Sequence, residues 1–162
     1  MSYITLQDRD NKFIIHLEHR MRASAQAIEL RKERTHSKFE KMSKDALEEY
    51  KNAAQTFSTM KMLCEGHNNE TQNILRTQPA STEINTVATA ANLVGLLCNT
   101  SHSLRVMEEA EVELLVSGLD CLVELVQGPC VGNQEVLANL EGFIPALDRV
   151  LRFLLYRMKL SK

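Results

Sequence analysis

Apolar residues recur at intervals of three, four or seven along the first third of the chain, as they do on one face of an α-helix. The first such run is Ile14, Leu17, Met21 and Ile28, and the second is Phe39, Met42, Ala46, Tyr50, Ala53, Phe57 and Met60. Charged residues occupy many of the positions between them, and neither glycine nor proline occurs before Gly66. The pattern therefore predicts two helices in series, each with one apolar face and one charged face.

From Lys61 onward, the apolar segments become shorter and are separated by Gly, Pro, Asn and Ser. Over the whole chain the periodicity predicts helices at roughly 10–33, 37–65, 68–76, 82–99, 104–127 and 133–158. The predicted core face of the fifth helix is Val112, Leu115, Leu119, Leu122, Val123 and Val126. That of the sixth, which we expect to pack against the fifth, is Phe143, Leu147, Val150, Leu151, Leu154 and Leu155.

Helices joined by short links, without a strict repeat, are typical of an armadillo- or HEAT-like helical stack, although a helical bundle fits the same pattern. No segment competes with these helices as a β-strand. We therefore predict an all-α solenoid segment with a long helical N-terminal arm. The change in composition divides the chain into a charged arm at 1–56 and a helical domain at 57–162.

Composition narrows the functional classes. A formal charge of −2 and a pI near 6.2 give no basic excess for binding a run of nucleic-acid phosphates. The longest apolar runs are too short to cross the roughly 30 Å hydrocarbon core of a bilayer. The N-terminus lacks a basic segment followed by an apolar run, which disfavours secretion. Cys64, Cys98, Cys121 and Cys130 are well separated, and we expect them to be reduced thiols of a cytoplasmic protein.

Candidate catalytic groups are few. Cys64 and His67 suggest a zinc site or a nucleophilic pair, but neither a Cys-x-x-Cys spacing nor an orienting third group accompanies them. The sequence also lacks the glycine-rich loops that hold phosphates and the EF-hand loop that holds calcium. We therefore expect a protein that is not an enzyme.

Two glutamates lie at predicted helix C-termini. Glu65 directly precedes Gly66, and Glu124 lies in the last turn before the helix stop Gly128–Pro129. A carboxylate there opposes the helix dipole at a cost of about 0.3–1 kcal/mol, unless a Lys, an Arg or a metal ion compensates. Gln127, one turn after Glu124, adds a neutral oxygen on the same face. Spacing alone still favours ordinary surface acids over a metal site.

Two segments carry a more specific signal. The first is Leu-Cys-Glu-Gly-His-Asn at 63–68, continued by Gln-Asn-Ile-Leu-Arg-Thr-Gln at 72–78, and the second is Gln-Gly-Pro-Cys-Val-Gly-Asn-Gln at 127–134. In this order they resemble two motifs of inositol trisphosphate receptors and ryanodine receptors, Leu-Cys-Glu-Asn-His-Asn and Gln-Gly-Pro-Cys-x-x-Asn-Gln. The resemblance is to the RIH-associated domain of these intracellular calcium-release channels, and it covers about residues 57–160.

The resemblance implies a cytosolic helical region close to the channel's C-terminal domain, contributing acidic residues to an activating calcium site. It makes Glu65 and Glu124 calcium ligands, Gln127 a further position of the site, and His67 an outer position that supports them. The remaining ligand would come from another domain of the channel. Within such a channel, the chain would lie on the cytosolic face of the endoplasmic reticulum. Gly66 replaces the Asn of the family's motif, so the hydrogen bonds of that amide are lost.

Two functions follow. In the first, the chain is a regulatory helical module of, or derived from, a calcium-release channel, and calcium at Glu65 and Glu124 biases the packing of two helices. Because calcium takes about six to eight oxygens, this partial site predicts a Kd of roughly 10⁻⁴–10⁻³ M or weaker. In the second, the chain is a stand-alone interaction scaffold without calcium binding, and its arm docks to a protein partner. Internal burial of the arm's apolar stripe would remove the basis for docking; the residues to check are Phe39, Met42, Phe57 and Met60.

Overall fold

The computed structural model describes residues 11–35, 42–78 and 84–160, and within these ranges it contains eight α-helices and no β-strand. In chain order the helices are α1 (Lys12–Thr35), α2 (Lys44–Cys64), α3 (Asn69–Arg76), α4 (Thr86–Leu97), α5 (Ser101–Arg105), α6 (Glu109–Val126), α7 (Val131–Asn139) and α8 (Phe143–Leu160). The prediction of an all-α helical stack is confirmed. Its armadillo-like character stays a prediction.

Polar side chains fix where several helices begin. The Ser43 side chain accepts a hydrogen bond from the Ala46 N–H at 3.2 Å and starts α2. Asn85 does the same for α4 by accepting from the Ala88 N–H at 3.0 Å. Each side-chain oxygen satisfies one of the N–H groups that a first helical turn leaves unpaired. These caps lie inside the segments predicted as helix, so α2 and α4 begin at Lys44 and Thr86, several residues later than expected.

The centre of the fold is the pair α2 and α6, which pack side by side and run in the same direction. Near their N-terminal ends, the Met42 N–H donates to Glu108 Oε1 at 3.3 Å. Near their C-terminal ends, Lys61 Nζ lies 3.1 Å from Asp120 Oδ2. Both helices therefore end on the same side of the molecule. The two sequence motifs, which follow those ends, are brought together as a result.

Helix α1 packs against α2 and α4. Its apolar face is buried, and the residues at most 4% exposed include Ile14, Leu17, Met21 and Ile28. Polar contacts fix its position on α2, because Arg20 Nη2 donates to Asn52 Oδ1 at 3.2 Å and Ser24 Oγ donates to the Glu49 carbonyl at 3.1 Å. The first predicted run of apolar residues is thus part of the core.

The second apolar stripe faces the same core. Phe57 and Met60 are fully buried and Met42 is partly buried against them, whereas Phe39 lies outside the described residues. The hypothesis of a docking arm loses its basis, since the stripe's described residues pack within the chain. Helix α2 runs through position 56, where the sequence suggested that the arm gives way to the second domain. That division stays a prediction.

The predicted helix at 133–158 is wrong as one element. The structure breaks it between Asn139 and Phe143, and Gly142 has a φ of 75°. Glycine adopts this left-handed conformation without the steric cost that other residues meet, so it allows the chain to turn there. The apolar periodicity continues across the break and conceals it. A short helix at Ser101–Arg105 was also missed as a separate element, because it merges with the predicted start of α6.

The core face predicted for α6 is only partly correct. Leu115 and Leu122 are buried as expected, but Val112 and Val123 are 46% and 50% exposed. The fully buried positions of this helix are instead Leu114, Cys121 and Leu125. Apolar residues cover more than one face of α6, and spacing alone does not show which of them meets the neighbouring helices.

Helix α8 contacts the body mainly through its first half, and in the second half Phe153 packs partly against the core. Phe143, Ala146 and Val150 are buried, and the helix packs against α4, α5 and α7. The predicted core residues of the second half are each more than half exposed: Leu151, Leu154 and Leu155. The prediction that the whole apolar stripe of this helix is buried is therefore wrong.

Candidate metal site where the two motifs meet

The loops that follow α2 and α6 touch each other. His67 has a φ of 59° and Gly128 a φ of 73°, so both loops turn sharply through the left-handed region. A Cβ atom placed on Gly128 would lie 3.2 Å from His67 Cβ, which shows how closely the two turns approach. The two motifs are far apart in sequence, but in the structure they are in contact.

Gln72 joins the first motif to the end of α6. Its side chain is fully buried, and Nε2 donates to the carbonyl oxygens of Glu124 at 2.7 Å and Gln127 at 3.0 Å. The last turn of a helix leaves carbonyl groups without partners inside the helix, and a buried donor from another element satisfies them. Gln72 therefore fixes the position of the helix end that carries Glu124.

Asn133 makes the reciprocal connection from the second motif. Its side chain is fully buried, and Nδ2 donates to the carbonyl oxygens of Gln72 at 3.2 Å and Leu125 at 2.8 Å. Its Oδ1 accepts a hydrogen bond from Arg76 Nη1 at 2.8 Å. Arg76 Nη2 in turn donates to Asn73 Oδ1 at 2.8 Å. Helices α3, α6 and α7 are thus tied into one polar junction.

The two candidate carboxylates lie at the surface of this junction. Glu65 is exposed at the C-cap of α2, and Glu124 is half-buried in the last turn of α6. One turn before each of them, Lys61 and Asp120 form an ion pair across the two helices, with 3.1 Å between Nζ and Oδ2. Residues four apart lie on the same face of a helix, so both glutamates lie on the side of the helix pair marked by this ion pair.

The pKa of Lys61 reflects the negative charges around it. The hydrogen bond that Lys61 donates to Asp120 and the charge of Asp120 raise the pKa of Lys61, and the charges of Glu124 and Glu65 raise it further. Both predicted acids therefore act on one ammonium group. Lys61 forms its ion pair with Asp120, so Glu65 and Glu124 have no ion-pair partner of their own among the described residues. The sequence allows a Lys near these acids but does not identify Lys61, because its pairing with Asp120 depends on the register between α2 and α6.

The other two predicted site residues have different surroundings. Gln127 caps α6 and its main-chain carbonyl accepts from Gln72, while its side chain is half-buried. His67 is exposed and lies against Gly128. Across residues 11–35, 42–78 and 84–160, no group of three or more His, Cys, Asp and Glu side chains is arranged to hold a metal ion. The two glutamates are thus not joined by a third such ligand from the described chain.

The cysteines are buried behind the junction. All four are free thiols, and each is at most 2% exposed. Burial raises the pKa of Cys64 to about 12, with further contributions from the neighbouring Cys130 and Glu124, and burial also raises the pKa of Cys121. Cys64 and Cys121 are therefore neutral at physiological pH, and all four cysteines are small apolar packing groups of the core. Their predicted role as core thiols is confirmed.

Comparisons with known proteins place the same segment in a family. The family model described as RyR and IP3R Homology associated matches residues 47–151. Over 87 residues, or 51% of this chain, the sequence is 36% identical to Inositol 1,4,5-trisphosphate receptor itr-1 of Caenorhabditis elegans. The match spans 3% of that receptor's length. No solved structure matches the chain. Among the helices that the structure describes, none is both long and apolar enough to cross a membrane.

Proposed function

Because this chain belongs to the RyR and IP3R Homology associated family, we propose that it is a regulatory helical module of, or derived from, an intracellular calcium-release channel. In this proposal Glu65 and Glu124 contribute part of an activating calcium site. The observation that supports it is the ion pair between Lys61 and Asp120, which joins α2 and α6 one turn before Glu65 and Glu124. The role is non-enzymatic, and calcium is its ligand.

The chemistry of the acids suits a hard cation. Calcium takes about six to eight oxygen ligands, and carboxylates bind it through one or both oxygens. Glu65, Glu124 and the amide of Gln127 could supply at most about five of these. Water or another domain of a channel completes the shell, and His67 supports the turn beside it. Such a partial site binds weakly, with a Kd of roughly 10⁻⁴–10⁻³ M or weaker.

Binding at this position would act on the packing of the helices. A cation shared by Glu65 and Glu124 neutralises two carboxylates that oppose their helix dipoles, and it draws the C-terminal ends of α2 and α6 together. The hydrogen bonds of Gln72 and Asn133 join the end of α6 to α3 and α7. A shift of this helix end would therefore be passed to α3 and α7. This is the physical basis for a regulatory rather than a structural role.

Calorimetric titration with calcium tests the proposal. The wild-type chain is compared with Glu124→Gln, which removes one charge at nearly constant shape, and with Glu113→Gln as a matched control. Glu113 is exposed on the same helix, three turns from the site. We expect weak binding in wild type and in the control, and weaker binding in Glu124→Gln. An equal calcium response in all three chains would exclude Glu124 as a ligand.

A second candidate function is a stand-alone scaffold that binds protein partners without calcium, and one observation favours it. The second half of α8 exposes an apolar stripe consisting of Leu151, Leu154, Leu155 and Met158. Docking would then use α8 rather than the N-terminal arm. In the channel proposal, other cytosolic domains cover the same stripe. No calcium response in the wild-type chain would favour the scaffold.

A further inference from the structure

Helices α6 and α8 each expose a stripe of apolar side chains. The α6 stripe consists of Val112, Val116, Leu119 and Val123, of which the three valines are at least 46% exposed and the leucine is half-buried. The α8 stripe consists of Ile144, Leu151, Leu155 and Met158, each at least 52% exposed. Successive residues of a helix are about 100° apart, so each stripe covers only about 60° of its helix surface. Both stripes are thus narrow and straight, as the contact face of a packed helix is.

The charges beside the two stripes have opposite signs. One edge of the α6 stripe carries an acidic row, which consists of Glu109, Glu113, Asp120 and Glu124. The corresponding edge of the α8 stripe carries Arg152 and Lys159, together with Asp148, which pairs with Arg152. Over their whole lengths, α6 has five acidic residues and no basic one, whereas α8 has four basic residues and one acidic. Even with Lys61 paired to Asp120, the acidic row keeps an excess of negative charge.

The position of the charged rows favours one way of packing the two helices. Viewed from the N-terminus, both rows lie on the same side of their stripes. Two such helices bring their rows together only when they pack antiparallel, stripe against stripe. With Leu151 set opposite Leu119, Lys159 then lies between Glu109 and Glu113. Two copies of α8 packed in this way would instead bring cations together, and two copies of α6 would bring acids together, which is unfavourable.

We propose that the chain associates with a second copy of itself, and that the α8 stripe of one copy packs antiparallel on the α6 stripe of the other. Within one chain, α8 packs against α4, α5 and α7, and α6 packs against α2, α4 and α7, while both stripes remain exposed. Removal of the apolar side chains from water drives the association, and the charged rows select the partner and the direction. The contact joins unlike surfaces, so a copy that uses one stripe keeps the other for a further copy. This association is separate from the proposed function and does not depend on calcium.

Sedimentation equilibrium of the full chain tests the association from about 10 µM to about 1 mM, because a single helix pair buries less surface than a standard interface and binds weakly. Leu151→Gln/Leu155→Gln changes the α8 stripe, and Val116→Gln/Val123→Gln changes the α6 stripe. These residues are at least 50% exposed, so both variants should fold, which thermal melting checks. We expect the wild-type mass to rise with concentration and each variant to associate at least about tenfold more weakly. A mixture of the two variants should associate again, because each supplies the stripe that the other lacks.

Further variants test the charges and the specificity. Lys159→Glu should weaken the association roughly three- to tenfold, because it places an acid beside the acidic row. Glu113→Lys added to the same chain exchanges the two charges and should restore the association towards that of wild type. The control Leu30→Gln/Met62→Gln removes two exposed apolar side chains from α1 and α2 and should associate as wild type does.

A wild-type chain that stays monomeric throughout would overturn the proposal, as would association that survives in both stripe variants. Association lost in only one of the two stripe variants would indicate contact between like stripes and would contradict the pairing of α6 with α8. Failure of the charge exchange to restore association would contradict the antiparallel direction. A monomeric chain that binds vesicles of phosphatidylcholine and phosphatidylserine, with binding lost in the α8 variant, would assign the α8 stripe to a membrane surface instead.

Discussion

The two ends of the α2 and α6 pair use charge in opposite ways. At the N-terminal end, Arg31 Nη2 lies 2.5 Å from Glu108 Oε1 and 3.7 Å from Glu111 Oε2. The N–H groups at the start of both helices bind the same acids, since the Met42 N–H donates to Glu108 and the Glu108 N–H donates to Glu111. At the C-terminal end, Lys61 pairs with Asp120, and two further carboxylates, Glu65 and Glu124, follow one turn later.

This difference separates charge that stabilises the fold from charge that requires another explanation. Carboxylates at helix N-termini are favoured by the helix dipole, and an arginine neutralises them at that end. Carboxylates at helix C-termini are disfavoured, and Asp120, Glu65 and Glu124 exceed the charge of Lys61. The first arrangement is explained by stability. The second is not explained by stability, and the proposed binding of calcium would account for it.

The largest effect is expected at the N-terminal end. Arg31→Met leaves Glu108 and Glu111 without their guanidinium partner, in a place where the Arg31 side chain is only 15% exposed. We expect a loss of about 2–4 kcal/mol in the free energy of unfolding, measured in urea. The control is Arg152→Met, since Arg152 pairs with Asp148 at the surface, and it should cost less than about 1 kcal/mol. Similar small losses in both chains would contradict the comparison.

The second largest effect is expected at the polar junction of α3, α6 and α7, beneath the C-terminal end of the helix pair. Gln72→Met keeps the shape of the side chain but leaves the carbonyls of Glu124 and Gln127 without their buried donor, which should cost about 1–3 kcal/mol. Gln134 also donates to carbonyls at the end of α6, but it is exposed and water can replace it. Gln134→Met is therefore the matched control and should change stability little. If both substitutions are neutral in urea unfolding, the junction does not hold the site.

Alkaline pH should lower the free energy of unfolding, because neutral groups are buried at both ends of the α2 and α6 pair. The ordinary pKa of a thiol is 9.0 and burial raises the pKa of Cys64 to about 12, so the unfolded state loses its proton first. Stability is then fully present below pH 9 and falls as pH rises towards 12. Burial also raises the pKa of Tyr50 at the other end. Cys64→Ala should reduce the decline by about 1 kcal/mol at a pH near 10, as measured in urea with a reductant present. An unchanged decline would show that the thiol ionises equally in both states.

The smallest effect is expected from Glu124→Gln without calcium. Removing this charge relieves the repulsion from Asp120 and the unfavourable helix dipole, and it gives up some attraction to Lys61. We expect a net gain of about 0.3–1 kcal/mol in the free energy of unfolding. Glu113→Gln, in the second turn of the same helix, should give no comparable gain. A clear loss in Glu124→Gln would mean that the acid is there for stability, as the acids at the N-terminal end are.

Part of the contrast between the two helix ends can be predicted from the sequence. Glu65 and Glu124 could be placed at helix ends because glycine and proline stop both helices close behind them. The ion pair between Lys61 and Asp120 could not be predicted, because it depends on the register between two parallel helices. Gln72 and Asn133 resemble ordinary polar residues of amphipathic segments until the fold buries them. The break at Gly142 is hidden in the same way, because the apolar period continues on both sides of it.

The most direct test of the shared acid site is the response of individual carboxylates to calcium, observed as ¹³Cδ chemical shifts of the glutamate side chains by nuclear magnetic resonance. Glu65 and Glu124 should shift together and saturate with a single Kd, in the range of roughly 10⁻⁴–10⁻³ M or weaker. Glu108 and Glu111, engaged at the other end of the same helices, should not move. Small, unsaturated shifts spread over all glutamates, or a saturating response at only one of the two, would contradict a site shared by the ends of α2 and α6.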